Sequence, residues 1–255
     1  MLLPEDVPLI ELNVAIKDKY YANSHSLVIK DMEFMVAPGE FVAIVGPSGC
    51  GKTTLLNMIS GLEDSSGQAI NCNNQSVHHS NNQHIGYIFQ QPRLMPWLTV
   101  NENVQLVLSP PQYKQIDGLL EQVGLAGKGD YFPHQLSGGM QRRVSIARSF
   151  AISPELLLLD EPFNSLDAPT ASRLRLLLLE LWRHRGTTMI LVTHDLQEAI
   201  YMADRILFVS DSPSTIIHQV AVDLPRPRSE SGSQELAWHA QLMAKYPNIL
   251  AGSLD

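Results

Sequence analysis

Several features are scarce in this sequence, and each scarcity excludes a class of protein. The 255 residues include two cysteines, Cys50 and Cys72, so we expect no disulfide framework and no cysteine metal site, which favours a reducing compartment. No apolar run approaches the ~18 residues of a membrane-spanning helix, and the first residues lack the pattern of a signal peptide. If the chain works at a membrane, other chains must hold it there.

Positive charge is also scarce. The 18 basic residues are outnumbered by 26 acidic residues, which gives a formal net charge of -8. Phosphate backbones are bound mainly by clustered Lys and Arg, and the basic residues here are scattered, so we expect no nucleic acid partner. Hydrophobic residues make up 44% of the chain, which is enough for one sizeable core.

The most informative stretch is a glycine-rich segment between an apolar run and a helical pattern, Gly46-Pro47-Ser48-Gly49-Cys50-Gly51-Lys52-Thr53. It matches G-x-x-x-x-G-K-[ST] in the strand-to-helix context that this motif requires. Glycines let backbone NH groups turn around an anion, and the helix adds its positive end. We expect Lys52 to reach the outer phosphates of a nucleoside triphosphate and the Thr53 hydroxyl to ligate Mg²⁺. The alternative, a turn that only joins a strand to a helix, is disfavoured by the complete motif.

The hydrophobic pattern predicts an α/β fold. Residues 9–16 and 26–36 are expected to form an antiparallel β-layer, with Tyr20 and Tyr21 in the polar loop between them. Strands alternating with helices predict a mostly parallel sheet covered on both faces. These further strands are expected at residues 41–45, 68–71, 85–89, 156–159, 187–192 and 206–209, with an edge strand at 216–224.

Weak helical patterns between residues 98 and 131 predict a small helical subdomain. A longer helix follows, with Ser137 as its N-cap and apolar residues recurring on one face. We expect Arg142 and Arg143 to lie on its opposite, solvated face. Beyond the sheet, Leu224-Pro225-Arg226-Pro227-Arg228 opens a tail that contains a short helix near residues 234–244.

Four polar residues follow predicted strands, and the carboxyl ends of strands are where such sheets bind ligands. Asp160 is expected to hold Mg²⁺ directly or through water, and Glu161 to be the general base that orients water onto the γ-phosphate. His194 is expected to contact the γ-phosphate, and Gln90, directly after the strand at 85–89, is expected to be a catalytic residue together with Glu161 and His194. The alternatives are a surface carboxylate for Glu161 and an ordinary strand-end histidine for His194.

A second anion site is expected at Ser137-Gly138-Gly139, which offers a hydroxyl, two glycine amides and a helix N-terminus. The chain already has one phosphate loop. The second site therefore suggests a nucleotide held by another copy or a partner.

With these motifs the chain resembles an ATP-binding cassette (ABC) ATPase over residues 8–225. The resemblance implies a P-loop NTPase (RecA-like) fold with the helical subdomain inserted at about 98–152, and a tail at 226–255. It implies ATP and Mg²⁺, with Gln90 joining Thr53 and Asp160 as metal ligands, and Thr54 and either Tyr20 or Tyr21 at the nucleotide. The matching motifs are Walker A at 46–53, the Q-loop residue Gln90, the signature Leu136-Ser137-Gly138-Gly139-Met140-Gln141, Walker B at Asp160-Glu161, the D-loop Ser165-Leu166-Asp167 and the switch His194.

In that family two ATPase domains face head to tail, so the resemblance implies a second ABC ATPase subunit, identical or homologous. Residues 89–100 and the segment 224–228 more narrowly resemble importer ATPases for nitrate, sulfonate, taurine, bicarbonate and similar solutes. This implies transmembrane permease subunits, indirectly a solute-binding protein, and a place on the cytoplasmic face of the membrane. An exporter or lipoprotein-release ATPase is the main alternative, and a soluble, non-transport ABC ATPase is disfavoured because no long coiled coil is inserted. One departure is Asn164-Ser165, where Gly-Ala or a similar small pair is common.

Overall fold

The computed structural model describes residues 10–21, 26–65, 67–73, 75–76 and 85–254. The chain divides into two compact units. Within the described residues, 85–187 form what we call the inserted unit, and those of 10–76 and 188–254 form the flanking unit. Residues 8 and 9, where the ATPase domain and its first strand are predicted to begin, lie outside the described residues.

Apart from a two-residue strand at residues 75–76 that is not predicted, strands and helices follow the order that the hydrophobic pattern predicts, with ends shifted by a few residues. The strands are β1 Leu12–Tyr20, β2 Leu27–Val36, β3 Phe41–Val45, β4 Ala69–Cys72, β5 Gln75–Ser76, β6 Ile85–Ile88, β7 Leu156–Asp160, β8 Thr188–Thr193, β9 Arg205–Val209 and β10 Ile216–Ala221. The α-helices are α1 Lys52–Ser60, α2 Val100–Gln105, α3 Ile116–Gln122, α4 Gly138–Ala151, α5 Ala168–Arg185, α6 Leu196–Met202 and α7 Ser233–Lys245.

An antiparallel sheet forms one layer of the flanking unit, in the order β2-β1-β4-β5. Val14 faces Phe34 across β1 and β2, and both side chains are buried. The alternation of apolar and polar residues therefore predicts this layer correctly. Tyr20 is the last residue of β1. The prediction that it lies in a loop is wrong, because the polar end of β1 still pairs with β2, Tyr20 lying opposite Leu27.

The second sheet region of the flanking unit has the order β10-β9-β3-β8. Strand β3 runs parallel to both β8 and β9, and all five of its residues are buried. This explains its uninterrupted apolar sequence, since neither face meets water. Strand β10 pairs antiparallel with β9, as predicted for an edge strand.

The inserted unit contains the parallel pair β6 and β7 together with helices α2 to α5. Gly86 of β6 lies so close to β7 that an added Cβ would be 2.8 Å from Leu157 Cδ1. Helix α4 buries Val144, Ala147 and Ala151, as its apolar periodicity predicts. The placement of Arg142 on a solvated face is wrong, because its side chain is 3% exposed. Throughout residues 10–21, 26–65, 67–73, 75–76 and 85–254, no helix combines the length and apolar character needed to cross a membrane.

Candidate functional site

The phosphate loop holds the Lys52 ammonium inside its own curve. Lys52 Nζ donates to the Gly46 carbonyl at 2.9 Å and to the Pro47 carbonyl at 2.6 Å, and lies 3.8 Å from Cys50 Sγ. Lys52 is only 5% exposed and Cys50 is fully buried. The loop is therefore already curled around a positive charge, which is the arrangement that an anion requires.

Glycine is required at position 51 for two reasons. Its φ of 113° disfavours any L side chain, and an added Cβ would lie 2.8 Å from Val28 Cγ1 of the strand beneath. Gly49 also has a positive φ, of 81°, but its added Cβ would meet nothing within 4 Å. The loop is thus packed against β2 at Gly51 and has open space at Gly49. This arrangement fits a ligand that closely approaches the backbone of the loop.

Two threonines at the start of α1 differ in environment. Thr53 is exposed, whereas Thr54 is buried and its Oγ1 lies 3.3 Å from the Tyr21 hydroxyl. Tyr20 is 50% exposed at the end of β1. Of the two candidate tyrosines, Tyr21 is therefore the one that contacts the helix after the phosphate loop, through Thr54.

In the inserted unit, the structure brings Gln90 and Glu161 together. Gln90 Nε2 lies 3.4 Å from Glu161 Oε2, and Asn164 Nδ2 donates to the same oxygen at 3.0 Å. Asp160 ends β7 and is buried. Burial, and after it the charge of Asp160, raises the pKa of Tyr87 above its ordinary value. Sequence reasoning missed the Asn164 contact, and the only signal was the departure from the usual small pair.

The Gln90 segment is held from behind by α4. The Arg142 guanidinium donates to the carbonyls of Phe89 and Gln90. Six residues further along the same helix, Arg148 donates to the Pro92 and Arg93 carbonyls at 3.1 and 3.0 Å. Burial lowers the pKa of Arg142 to about 10. Periodicity did not reveal this role, because a buried arginine that binds carbonyls looks the same in sequence as a solvated one.

The predicted second anion site is the N-terminus of α4. Ser137 caps the helix as predicted, and its Oγ accepts from the Met140 backbone NH at 3.3 Å. Gly139 fits closely against α5, since an added Cβ would lie 2.6 Å from Thr170 Cγ2, whereas Gly138 has open space around it. Gln141 Nε2 fixes the preceding turn by donating to the Pro133 carbonyl at 2.9 Å. Leu136 is buried, and Ser137 and Gly138 are exposed.

The segment Ser165-Leu166-Asp167 connects β7 to α5. Ser165 has a left-handed φ of 64°, and Asp167 caps α5 by accepting from the Thr170 backbone NH at 3.1 Å. Hydrogen bonds from the Thr170 side chain and then its backbone hold the pKa of Asp167 below its usual value. Ser165 itself is exposed.

His194 directly follows β8 in the flanking unit, and it is exposed. The next residue, Asp195, caps α6 by accepting from the backbone NH groups of Gln197 and Glu198. His194 is therefore fixed between a buried strand and a capped helix.

The opposite end of α6 is held by the tail segment 224–228. Arg226 donates to the Met202 carbonyl at 2.6 Å and pairs with Asp204 at 2.8 Å. Arg228 donates to the carbonyls of Ile200 and Ala203. Guanidinium groups satisfy the last carbonyls of a helix and complement its negative end. Sequence analysis identified the segment but not this helix-capping role.

The candidate site residues thus fall into two sets, one in each unit. The flanking unit contains the phosphate loop, Thr53, Tyr21 and His194, and the inserted unit contains Gln90, Asp160, Glu161 and the signature. The hydroxyl of Thr53, the carboxylate of Asp160 and the amide oxygen of Gln90 are hard oxygen donors, the type that Mg²⁺ prefers. The residue types therefore fit a magnesium nucleotide.

Comparison with known proteins also points to a nucleotide-binding protein. The sequence profile of the family described as ABC transporter matches residues 29–164. The chain is 40% identical over 240 residues to the aliphatic sulfonates import ATP-binding protein SsuB of Bacillus subtilis strain 168, covering 92% of this chain and 94% of the relative. It is 42% identical over 214 residues to SsuB 1 of Xanthomonas axonopodis pv. citri, covering 81% and 84%.

Solved structures give the same result for the fold. A dimeric ATP-binding cassette in a post-hydrolysis state with ADP and phosphate matches with a TM-score of 0.72 and 29% identity, covering 85% of this chain and all of that one. The cbiO1 protein of Clostridium perfringens, part of the cbiONQ ABC transporter complex, matches with a TM-score of 0.74 and 26% identity, covering 93% and 96%. The predicted resemblance and fold class are confirmed.

Proposed function

This chain belongs to the ABC transporter family, and on that premise we propose that it is the ATP-hydrolysing subunit of an importer for a small polar solute or anion. The relatives at about 40% identity are named as aliphatic sulfonate import subunits. Sulfonates, a class that includes taurine, are therefore favoured among the predicted solutes over nitrate and bicarbonate. The observation that carries the proposal is the Glu161 carboxylate, held by two side-chain amides directly after the buried Asp160.

The phosphate loop, residues Gly46 to Thr53, binds the phosphates of ATP through its backbone, and Thr54 supports it from the first turn of α1. Lys52 is the charge for the outer phosphates, and its present bonds to loop carbonyls keep the ammonium at the place where they would arrive. Tyr21, through its contact with Thr54, is the better candidate than Tyr20 for stacking on adenine. Thr53, Asp160 and Gln90 would hold Mg²⁺, which neutralises charge on the outer phosphates when bound.

Glu161 acts as the general base that orients the attacking water, and His194 contacts the γ-phosphate. A general base must be held within hydrogen-bond reach of the proton that it accepts. The two amide contacts on Oε2 supply that restraint for Glu161. His194 is restrained instead by β8 on one side and the cap of α6 on the other.

The signature, residues Leu136 to Gln141, serves the nucleotide of a second ABC ATPase subunit, identical or homologous. Open space around Gly138 and the exposed Ser137 support an approach from outside the chain. The segment Ser165-Leu166-Asp167 would lie at the same dimer contact, presented by the capped start of α5. The dimeric cassette with ADP and phosphate among the matching structures supports this assembly.

Transmembrane permease subunits are the second class of partner, and a solute-binding protein is an indirect third. Arg142 and Arg148 fix the backbone beside Gln90, and the neighbouring Trp97 is 70% exposed. An ordered loop with an exposed indole suits contact with another chain. The ATPase would then work at the cytoplasmic face of the membrane, with residues 8–225 as the ATPase domain, about 98–152 as its helical subdomain and 226–255 as a tail.

The variant Glu161→Gln tests this function. An amide cannot accept the proton of the attacking water, so we expect hydrolysis to fall at least ~100-fold while ATP still binds. ATP-bound dimers should then accumulate, which size-exclusion chromatography with Mg²⁺ and ATP would detect. The matched control is Glu121→Gln, at an exposed carboxylate within α3 that lies far from Asp160 in sequence. Unchanged turnover in Glu161→Gln would refute the assigned role of Glu161.

A further inference from the structure

Asn164 lies in the turn that follows β7, three residues after Glu161. Its backbone NH donates to the Glu161 carbonyl at 3.2 Å and closes the turn. Its side-chain Nδ2 donates to Glu161 Oε2 at 3.0 Å. Glu161 itself has a left-handed φ of 42°. Together these features place the Asn164 amide against the carboxylate of the proposed general base.

The Asn164 contact differs from the Gln90 contact in two ways. It is shorter, 3.0 Å against 3.4 Å, and its length lies within the usual range for an N–H···O hydrogen bond. It is also local, because Asn164 and Glu161 share one turn, whereas Gln90 is 71 residues away along the chain. Gln90 is in addition a proposed metal ligand. Asn164 is thus the restraint that stays beside Glu161 when the Gln90 side chain is engaged elsewhere.

An amide suits this role chemically. As a neutral donor it orients the carboxylate, without placing a full positive charge beside it as a lysine would. We propose that Asn164 is a positioning residue for ATP hydrolysis, which holds the Glu161 carboxylate in the orientation needed to activate water. This rests on the proposed function of Glu161.

A purely structural role for Asn164 makes a different prediction. Asn stabilises turns when its side-chain oxygen accepts a backbone NH, and Asp can replace it in that role. The contact described here is a donation, which Asp cannot make to a carboxylate. Asn164→Asp therefore separates the two roles, since it keeps an acceptor for the turn but sets a second negative charge against Glu161.

The test compares the steady-state ATPase kinetics of Asn164→Asp and Asn164→Ala in the full chain. We expect kcat to fall about 30-fold or more for Asn164→Asp and about tenfold for Asn164→Ala, because a misaligned catalytic group loses rate steeply. KM for ATP should stay within about twofold, since neither change touches the phosphate loop. The matched control is Asn13→Asp, because Asn13 Nδ2 also donates to a neighbouring glutamate, Glu11, at 2.8 Å, but in β1. That control should keep the parent kcat.

A double variant tests whether Asn164 acts through Glu161. In the Glu161→Gln background, adding Asn164→Ala should change the residual rate by less than about twofold. Melting temperatures of both Asn164 variants should match the parent chain, because the side chain is exposed.

Three outcomes would overturn the proposal: parent-like kcat in Asn164→Asp, a raised KM with unchanged kcat, or a further tenfold loss in the double variant. If Glu161→Gln alone keeps full turnover, the proposed role of Glu161 fails, and this inference fails with it. If Glu161→Gln is inactive and Asn164→Asp is fully active, only this inference fails.

Discussion

Arg228 offers the sharpest test of how the tail segment 224–228 contributes to the fold. Its guanidinium is 9% exposed and donates to four backbone carbonyls. The distances are 2.7 Å to Ile200 and 2.9 Å to Val222, and further bonds reach Leu224 and Ala203. Burial is the main reason why the pKa of Arg228 is lowered, to about 10. The side chain is thus a buried cation whose hydrogen bonds join the end of α6 to the tail.

The variant Arg228→Met keeps most of the side-chain volume and removes all four hydrogen bonds. Each hydrogen bond contributes on the order of 1 kcal/mol net, which gives about 4 kcal/mol. Removing a buried charge offsets part of this loss. We therefore expect the free energy of unfolding to fall by about 3 kcal/mol. At about 2 to 4 °C per kcal/mol for a chain of this size, the melting temperature should fall by about 6 to 12 °C.

Thermal denaturation followed by circular dichroism measures this shift. The control is Arg183→Met, which removes an exposed arginine from the last turn of α5 and should lower the melting temperature by no more than about 2 to 4 °C. Arg228→Lys should fall between the two, because an ammonium has three donors and cannot reproduce the planar fork. An Arg228→Met variant that melts with the Arg183→Met control would refute the reasoning.

Two further predictions concern the Gln90 segment and the pH dependence of stability. In Arg142→Met, amide hydrogen exchange across residues 89–93 should accelerate about tenfold or more, because the carbonyls lose their buried donor, whereas Arg143→Met on the same helix should leave that segment unchanged. Burial and then the charge of Lys245 lower the pKa of His218, so its neutral form is favoured by folding. The contribution of His218 to folding stability is complete above about pH 6.5 and is lost as the pH falls through the pKa of the folded state. Between about pH 7 and 5, the melting temperature of His218→Gln should therefore fall less steeply than that of the parent chain. Equal slopes for His218→Gln and the parent chain would contradict this.

Much of the fold could be predicted because its elements are encoded by residues that are adjacent in the sequence. The buried strands β3, β7 and β8 are uninterrupted apolar runs, and each one ends at a polar residue or a glycine loop. A helix start was equally predictable where a side chain caps it, as at Ser137. These elements are determined by local chemistry, which a sequence displays directly.

The missed features are long polar side chains that bind backbone carbonyls. Arg142, Arg226 and Arg228 look like solvated or tail residues in a hydrophobic pattern, yet each donates to carbonyls at the end of a strand or helix. Hydropathy records the charge of a guanidinium but not the carbonyls that surround it. Asn164 was noticed only as a departure from the usual pair, since its contact depends on the turn after β7.

The resting position of Lys52 affects how an anion enters the loop. The Lys52 ammonium donates hydrogen bonds to the Gly46 and Pro47 carbonyls. A phosphate that binds Lys52 must therefore replace these carbonyls as the acceptor. The gain on binding is then a difference between two sets of hydrogen bonds, and it is smaller than the strength of the bonds to the phosphate alone. A ligand that reaches the ammonium with several oxygens compensates for the lost carbonyls better than one that reaches it with a single oxygen. The loop therefore favours a ligand whose phosphates present several oxygens to Lys52.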